Sequence, residues 1–243
     1  MNAHTRLVSP LTLNPDLDIP TLAETFRTRG HVRIPHVLTA GAPELYRYLE
    51  ANECWMQLLN KPSGGAWEMP LHEWLEPGSR QRAEIEREAY ANACDGFQYS
   101  YAALRIPAQD EACNDPVLCQ ISDLLADAAV KQVLTAITGI ADPVFTDGQV
   151  TAYGHGDFLT GHDDDLAGSG RAAAFVLGLT PQWRLEWGGL LMFHELGQVP
   201  FWGMGPQFNT LDLFAVPKYH SVSLVSPAAP RRRYSITGWL SRP

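Results

Sequence analysis

The sequence predicts a mainly β protein with supporting helices (α+β), and three observations carry that prediction. From residue 145 onward the chain breaks into short apolar runs separated by turn residues. That spacing suits a sandwich or barrel better than a parallel α/β sheet. Up to about residue 140 the texture is mostly helical, which would buttress one sheet from outside. The final run, "RYSITGWL" (233–240), alternates so that Arg233, Ser235, Thr237 and Trp239 share one face while Tyr234, Ile236, Gly238 and Leu240 share the other. A face carrying a guanidinium, hydroxyls and an indole is either solvated or lines a polar cavity inside a barrel. We read 1–243 as one domain, with 1–140 as mostly helical support carrying an early core strand and 145–243 as the functional strands.

The elements follow in order. "TLAETFRTRG" (21–30) predicts a helix that opens after Pro20 and ends on Gly30, with Arg27 and Arg29 favourably placed in its last turn. "APELYRYLEANECWMQLLN" (42–60) predicts a second, because Leu45, Tyr48, Leu49, Trp55, Leu58 and Leu59 fall near helical spacing. The Pro/Gly-rich stretch 61–80, with two tryptophans, is a candidate lid, since long aromatic loops are uncommon unless they pack over something. "GFQYSYAALRI" (96–106) predicts the early strand, and 115–139 one or two helices ending at Gly139. The strands expected after residue 145 are "QVTAY", "AAAFVLGLT", "GGLLMFHE", "NTLDLFAV", "HSVSLV" and "RYSITGWL".

Composition narrows the function. A net charge of −9 with no basic run beyond Arg231-Arg232-Arg233 argues against duplex nucleic acid. No stretch approaches a membrane span, and "MNAHTRLVSPLTLNPDLD" lacks the apolar core of a signal peptide. Cys54, Cys94, Cys113 and Cys119 show no CxxC spacing and read as reduced and structural, so the expected compartment is the cytoplasm. Oligomeric state is not encoded in any feature of the sequence.

"LTGHDDDLAG" (159–168) sets three aspartates behind a histidine. Clustered carboxylates repel unless a turn solvates them or a cation sits among them. His162-Asp163-Asp164 forms an HxD pair, as does His155-Gly156-Asp157. In a strand, residues i and i+2 point the same way, so such a pair can present an imidazole and a carboxylate to one ion. The glycines around His155 predict a turn, whereas His162 fits a strand end. His220, opening a later strand, offers a third ligand. Two histidines and one carboxylate make the facial triad of non-haem Fe(II) oxygenases, although a zinc hydrolase uses similar ligands. Arg233, thirteen residues beyond His220, separates the two, because a fixed guanidinium grips a dicarboxylate that a hydrolase does not need.

These segments jointly resemble the 2-oxoglutarate- and Fe(II)-dependent dioxygenases, on their prolyl-hydroxylase-like branch. "AYGHGDFLTGHDDD" is similar to the segment with the tyrosine and HxD, and "RAAAFVLGLTPQWRLEWGGLLMF" to the arginine-led and double-glycine strands. "FNTLDLFAVPKYHSVSLV" is similar to the distal-histidine hairpin, and "RYSITGWL" to the strand with the co-substrate arginine. The resemblance covers 145–243 and implies a double-stranded β-helix (jelly-roll) core with N-terminal helices packed on one sheet. It implies Fe(II) on His162, Asp164 and His220. It also implies 2-oxoglutarate held by Arg233, with Ser235 beside it and Tyr153 also bonding it. O2 would be consumed, with ascorbate as a reductant.

The implied activity converts 2-oxoglutarate to succinate and CO2 while hydroxylating a substrate, first of all a prolyl residue of a protein or peptide. A small-molecule hydroxylase acting on an amino acid or metabolite is an alternative. Another is a non-catalytic sensor barrel that binds metal and 2-oxoglutarate. The carboxylate at Asp164 argues against the halogenating relatives.

Two departures stand out. Gly178 replaces a tyrosine common in the family, which predicts a lost hydroxyl contact or a wider pocket. The segment between His220 and Arg233 is longer than usual, leaving Arg231 and Arg232 as rivals to Arg233. Asp163 and Asp165 are expected to flank the metal ligand from the loop. His155, His194 and Arg171 are expected to be structural, and Trp239 to belong to the core.

Overall fold

The computed structural model describes residues 9–109, 111–195 and 199–242. Residues 1–8, part of the stretch read for an export signal, lie outside them. The N-terminal region runs β1 (Thr12–Leu13), α1 (Ile19–Arg29), β2 (His31–Pro35), β3 (Leu38–Ala40), α2 (Ala42–Ala51), β4 (Met56–Asn60) and β5 (Ala66–Pro70). It continues through α3 (Leu71–Trp74), α4 (Arg80–Ala93), β6 (Tyr99–Arg105), α5 (Pro116–Ala126) and α6 (Ala128–Thr138). The rest is strand: β7 (Val144–Tyr153), β8 (Phe158–His162), β9 (Arg171–Gly178), β10 (Leu191–His194), β11 (Phe201–Met204), β12 (Thr210–Ala215), β13 (His220–Val222) and β14 (Arg233–Ser241).

Helix ends follow the expected chemistry. Asp18 caps α1 by accepting from the Thr21 amide, and Gly30 and Gly139 close α1 and α6 in the left-handed conformation at φ 65 and 74. The expectation of a helix through residue 60 fails after Ala51. Asn52 turns extended (φ −73, ψ 132), and Met56–Asn60 forms a strand that buries Gln57 and Leu59 alternately. Leu58 and Leu59 satisfy both periods on paper, and pairing with β6 decides for the strand. The 61–80 stretch is not a lid either. It turns the β4–β5 hairpin and enters α3, with Trp74 buried and Trp67 half-buried against the main core. Strands β2 and β5 lie within the region read as mainly helical.

Apart from the short β1–β3 pair, the strands pair antiparallel in one curled sheet, ordered β11-β10-β13-β8-β6-β7-β14-β9-β12-β2, with the β4–β5 hairpin joined to β6. Curling happens at β6, which pairs with β8 through Tyr99↔Leu159 and with β7 through Ala102↔Ala152. This is the jelly-roll the sequence predicts. Its wider half carries the helices on its outer face, where Leu45, Leu49, Ile121, Leu134 and Ile137 meet Ile34, Leu177, Leu213 and Ile236. Burying a side chain such as Ile236 stabilises by about 1.5–3 kcal/mol. Strand β14 therefore splits as its alternation predicts, with Tyr234, Ile236 and Leu240 in this core and Arg233, Ser235, Thr237 and Trp239 on the concave side.

The cysteine reading needs correction. Cys113 and Cys119 are joined in a disulfide, while Cys54 and Cys94 are free and exposed. Cys113 precedes the cap Asp115 and Cys119 sits in the first turn of α5, so the helix start itself brings their Cα atoms to 5.8 Å. A CxxC search cannot see this spacing, and the inference from reduced cysteines to the cytoplasm lapses. Among the described residues no helix is long and apolar enough to cross a membrane.

Candidate metal centre

The concave face encloses a cavity of about 390 Å3. His162 and His220 face each other across β8 and β13 as a register pair, with ring centroids 4.2 Å apart. Asp164 Oδ1 lies 3.3 Å from His162 Nε2, and Oδ2 lies 3.5 Å from His220 Nε2. One ligand atom from each of the three falls within 4.8 Å of the others. The sequence argument for this pairing rested on strand parity, which is not how it forms. Strand β8 ends at His162, and Asp164 folds back through a left-handed backbone at φ 63. Aspartate tolerates that conformation better than most residues.

Both imidazoles are oriented from behind. His162 Nδ1 lies 3.1 Å from the Thr160 carbonyl and His220 Nδ1 lies 2.8 Å from that of Lys218. An Nδ1–H donating to each carbonyl leaves both Nε2 lone pairs for a metal. Phe214 packs edge-on against His220 at 4.8 Å. Burial, with the neighbouring His162, pushes His220 down to about 4, so it is neutral at physiological pH. Burial pushes the Asp164 carboxyl up, but the His162 and His220 imidazoles outweigh it and hold it below its ordinary value.

Deeper in the cavity lies Arg233, 5% exposed, its guanidinium carbon 5.3 Å from the Tyr153 ring centre. Burial pushes its pKa down, opposed by Tyr153 and Asp212. Among the described residues none accepts a hydrogen bond from it. Asp212, whose charge raises its pKa, is itself bonded to Arg33 at 2.7 Å. A buried guanidinium without an acceptor is costly unless a ligand supplies one. Ser235 sits beside it, its hydroxyl 2.9 Å from that of Thr151. Arg232, the rival, turns away to Asp157 Oδ2 at 3.4 Å, and Arg231 does not line the cavity. Burial pushes the Tyr153 hydroxyl well above its ordinary range, so it stays protonated and can donate.

Several cavity residues escaped sequence reading. Tyr101 and Tyr99 line it from β6, and Tyr101 accepts from Gln149 Nε2 at 3.2 Å. The alternation of "YSYAALR" held that signal, but it matches any half-buried strand. Thr151 carried none. Arg171 and Trp239, read as structural and core, also line the cavity. Arg171 stacks 3.5 Å over the Trp239 ring and pairs with Asp147 at 2.8 Å. Arg171 Nε is buried without a partner among the described residues, and the Trp239 indole N–H helps to hold the Asp164 carboxyl down.

The other HxD pair works differently. Asp157 is buried and accepts from Gln57 Nε2, Ser100 Oγ and the Gly154 amide at 2.9, 2.7 and 2.7 Å. His155 Nε2 meets the Ala229 carbonyl at 2.6 Å. Together they fix the 154–157 turn that delivers β8. Removing one member of such a buried charged network leaves the others unpaired, so Asp157→Ala should destabilise by about 3–5 kcal/mol. Urea unfolding measures this, and a loss below about 1 kcal/mol would mean that the network is not structural. His194 Nε2 lies 3.0 Å from Ser221 Oγ.

Gly178 does not widen the pocket. A Cβ there would lie 2.3 Å from the Gln207 carbonyl oxygen, so the backbone at Gln207 fills the space a tyrosine would need. Gly178→Ala should cost about 1–3 kcal/mol by overpacking, read as a lower unfolding midpoint. Tolerance of alanine would show that Gln207 moves freely.

The donor set fits a divalent cation with open positions, and the unpaired Arg233 fits a dicarboxylate beside it. With this geometry in place, the comparisons are informative. Residues 148–241 match the family described as the 2OG-Fe(II) oxygenase superfamily. The chain is 33% identical over 116 residues to prolyl 3-hydroxylase OGFOD1 of Xenopus laevis, a match covering 45% of this chain and 22% of that one. The chain thus spans about a fifth of the length of this relative. In fold it is similar to a 2OG-Fe(II) oxygenase family oxidoreductase from Burkholderia pseudomallei, with TM-score 0.65, 16% identity, and coverage of 96% and 94%. It is also similar to a Trichoplax adhaerens prolyl hydroxylase in complex with a hypoxia inducible factor peptide fragment, with TM-score 0.57, 17% identity, and coverage of 92% and 88%.

Proposed function

From the match of residues 148–241 to the 2OG-Fe(II) oxygenase superfamily, we propose that the protein is an Fe(II)- and 2-oxoglutarate-dependent dioxygenase that hydroxylates a prolyl residue of a peptide or protein. The observation that carries this is the buried, acceptor-free Arg233 in the same cavity as His162, Asp164 and His220. A zinc hydrolase has no use for such a cation.

In this reading His162, Asp164 and His220 hold Fe(II) on one face. Arg233 grips the distal carboxylate of 2-oxoglutarate, with Tyr153 and the Ser235 hydroxyl as further donors. When bound, the iron and co-substrate supply oxidative decarboxylation to succinate and CO2 coupled to insertion of one oxygen atom into a substrate C–H bond. The protein's contribution is positional. Thr160 and Lys218 carbonyls fix the ring orientations, Phe214 packs edge-on against His220, and the Tyr101 and Tyr153 rings pack together beside Arg233.

A peptide is favoured over a free amino acid by the mouth of the cavity. The Arg171–Trp239 stack lines the cavity. An adjoining cleft of about 750 Å3, which shares Gln149 with the cavity, has room for residues flanking the target. The test incubates the protein with Fe(II), 2-oxoglutarate and ascorbate, offering proline-containing peptide pools or free amino acids. Succinate formed in step with a +16 Da peptide is the expected outcome. Product on free amino acids alone would favour a small-molecule hydroxylase, and binding without any turnover a sensor.

A further inference from the structure

One wall of the metal cavity is a row of aromatic rings. Strand β6 alternates so that Tyr99 and Tyr101 line the cavity, and Phe97, two residues before Tyr99, lines it too. Ring centres step outward from Tyr153 to Tyr101 at 5.2 Å, then to Tyr99 at 5.3 Å and to Phe97 at 5.8 Å. The inner end carries Arg233, its guanidinium carbon 5.3 Å from the Tyr153 ring centre. The outer end reaches the triad, since the Phe97 ring centre lies 5.3 Å from that of His162. Exposure rises from 4% at Tyr153 to 45% at Phe97.

Single exposed apolar side chains are ordinary on a surface, but the backbone beneath this one is fixed. The Phe97 carbonyl accepts from Asn60 Nδ2 at 2.8 Å and from Asn92 Nδ2 at 3.1 Å. The next residue, Gln98, is buried. Its amide donates to Thr160 Oγ1 at 2.8 Å, and its side-chain oxygen accepts from Asn92 Nδ2 at 2.7 Å. An aromatic face is thus held in water beside a histidine of the triad. Tyr99 adds a polar group, because its hydroxyl bonds to none of the described residues. Burial raises its pKa, so it stays protonated and can donate.

We propose that Phe97 and Tyr99 form the shelf that receives the target residue. The Phe97 face packs against a pyrrolidine ring, and the Tyr99 hydroxyl donates to a peptide carbonyl next to it. The shelf stands on the ring geometry; that its occupant is the residue hydroxylated rests on the oxygenase reading above. The chemistry selects proline. Aromatic faces are electron-rich, and the C–H bonds beside a proline's amide nitrogen are polarised to meet them, as in the aromatic-lined grooves that take up proline-rich segments. A prolyl residue also has no N–H, so it presents only acceptors, which suits a hydroxyl donor.

The test uses N-acetylproline methylamide as the probe. N-acetylvaline methylamide, which is acyclic and keeps its N–H, is the comparison. Aromatic-ring NMR signals of the full chain are followed through each titration. Saturable shifts at Phe97 and Tyr99 are expected, with the valine compound bound severalfold more weakly. Phe97→Leu keeps an apolar side chain without the aromatic face, and Tyr99→Phe keeps the ring without the hydroxyl. Each should weaken the proline probe severalfold. Absent shifts or equal binding of the two compounds would overturn the shelf, and undiminished binding by either variant would overturn the role of that residue. For a hydroxylated peptide, Phe97→Leu should raise the peptide KM severalfold at an unchanged half-saturating 2-oxoglutarate concentration. A parallel rise in both would make Phe97 a support of the metal centre instead. Turnover with an unchanged peptide KM would sink the shelf and keep the oxygenase reading. Probe binding by a protein that never consumes 2-oxoglutarate would keep the shelf and sink that reading.

Discussion

Asp164→Ala is expected to lower 2-oxoglutarate consumption by at least about three orders of magnitude, or ~4 kcal/mol in the barrier. The carboxylate is the only anionic member of the triad and touches both imidazoles, at 3.3 and 3.5 Å. Without it two neutral histidines remain, which cannot offset a divalent charge or complete the face. Asp164→Asn separates charge from shape. Asparagine accepts the left-handed backbone at φ 63 and keeps the size of the side chain. It should therefore fold as the parent does and still bind metal far more weakly. Metal titration by calorimetry, alongside consumption of 2-oxoglutarate, checks both variants. Stoichiometric, tight metal binding by Asp164→Ala would remove Asp164 from the ligand set.

Arg233→Met should move two properties in opposite directions. The ligand-free protein carries a guanidinium that is buried and unmatched by any acceptor among the described residues. Replacing such a charge with an apolar chain of similar length should stabilise it by about 1 kcal/mol or more. The same change should weaken 2-oxoglutarate at least about a hundredfold, ~2.7 kcal/mol, by deleting its charge-assisted hydrogen bonds. Thermal melts with and without the co-substrate test the pair together. The variant should melt higher alone and show no further rise on adding 2-oxoglutarate. A variant that melts lower in both conditions would mean that Arg233 is a structural cation rather than a ligand site.

How much of this was legible in the sequence varies with the kind of signal. The β-rich second half announced itself because turn residues punctuate apolar runs, and β14 revealed its cavity face through strict alternation of Arg233, Ser235, Thr237 and Trp239. The histidines and Asp164 were identifiable as a set, yet the reason given, strand parity, belongs to a strand that stops at His162. A left-handed turn achieves the same convergence, and nothing in "HDDD" distinguishes the two. Met56–Asn60 was unreadable because Leu58 and Leu59 serve either period and only pairing with β6 chooses.

Thr151 was silent because a lone hydroxyl in a strand is ordinary. It gains meaning only opposite Ser235. Gly178 misled in the other direction. Its missing side chain suggested space, but the Gln207 carbonyl, distant in sequence, already occupies it. The Asp157 network joins residues from β4, β6 and two loops, a convergence that only tertiary structure creates. The Cys113–Cys119 bridge depended on where α5 begins, which periodicity locates only approximately.

The most direct measurement of the central claim is succinate formation by the purified protein under air with Fe(II), 2-oxoglutarate and ascorbate. The account predicts one succinate per 2-oxoglutarate consumed, dependent on iron and absent in Asp164→Ala. A protein that binds neither iron nor 2-oxoglutarate and forms no succinate would contradict it.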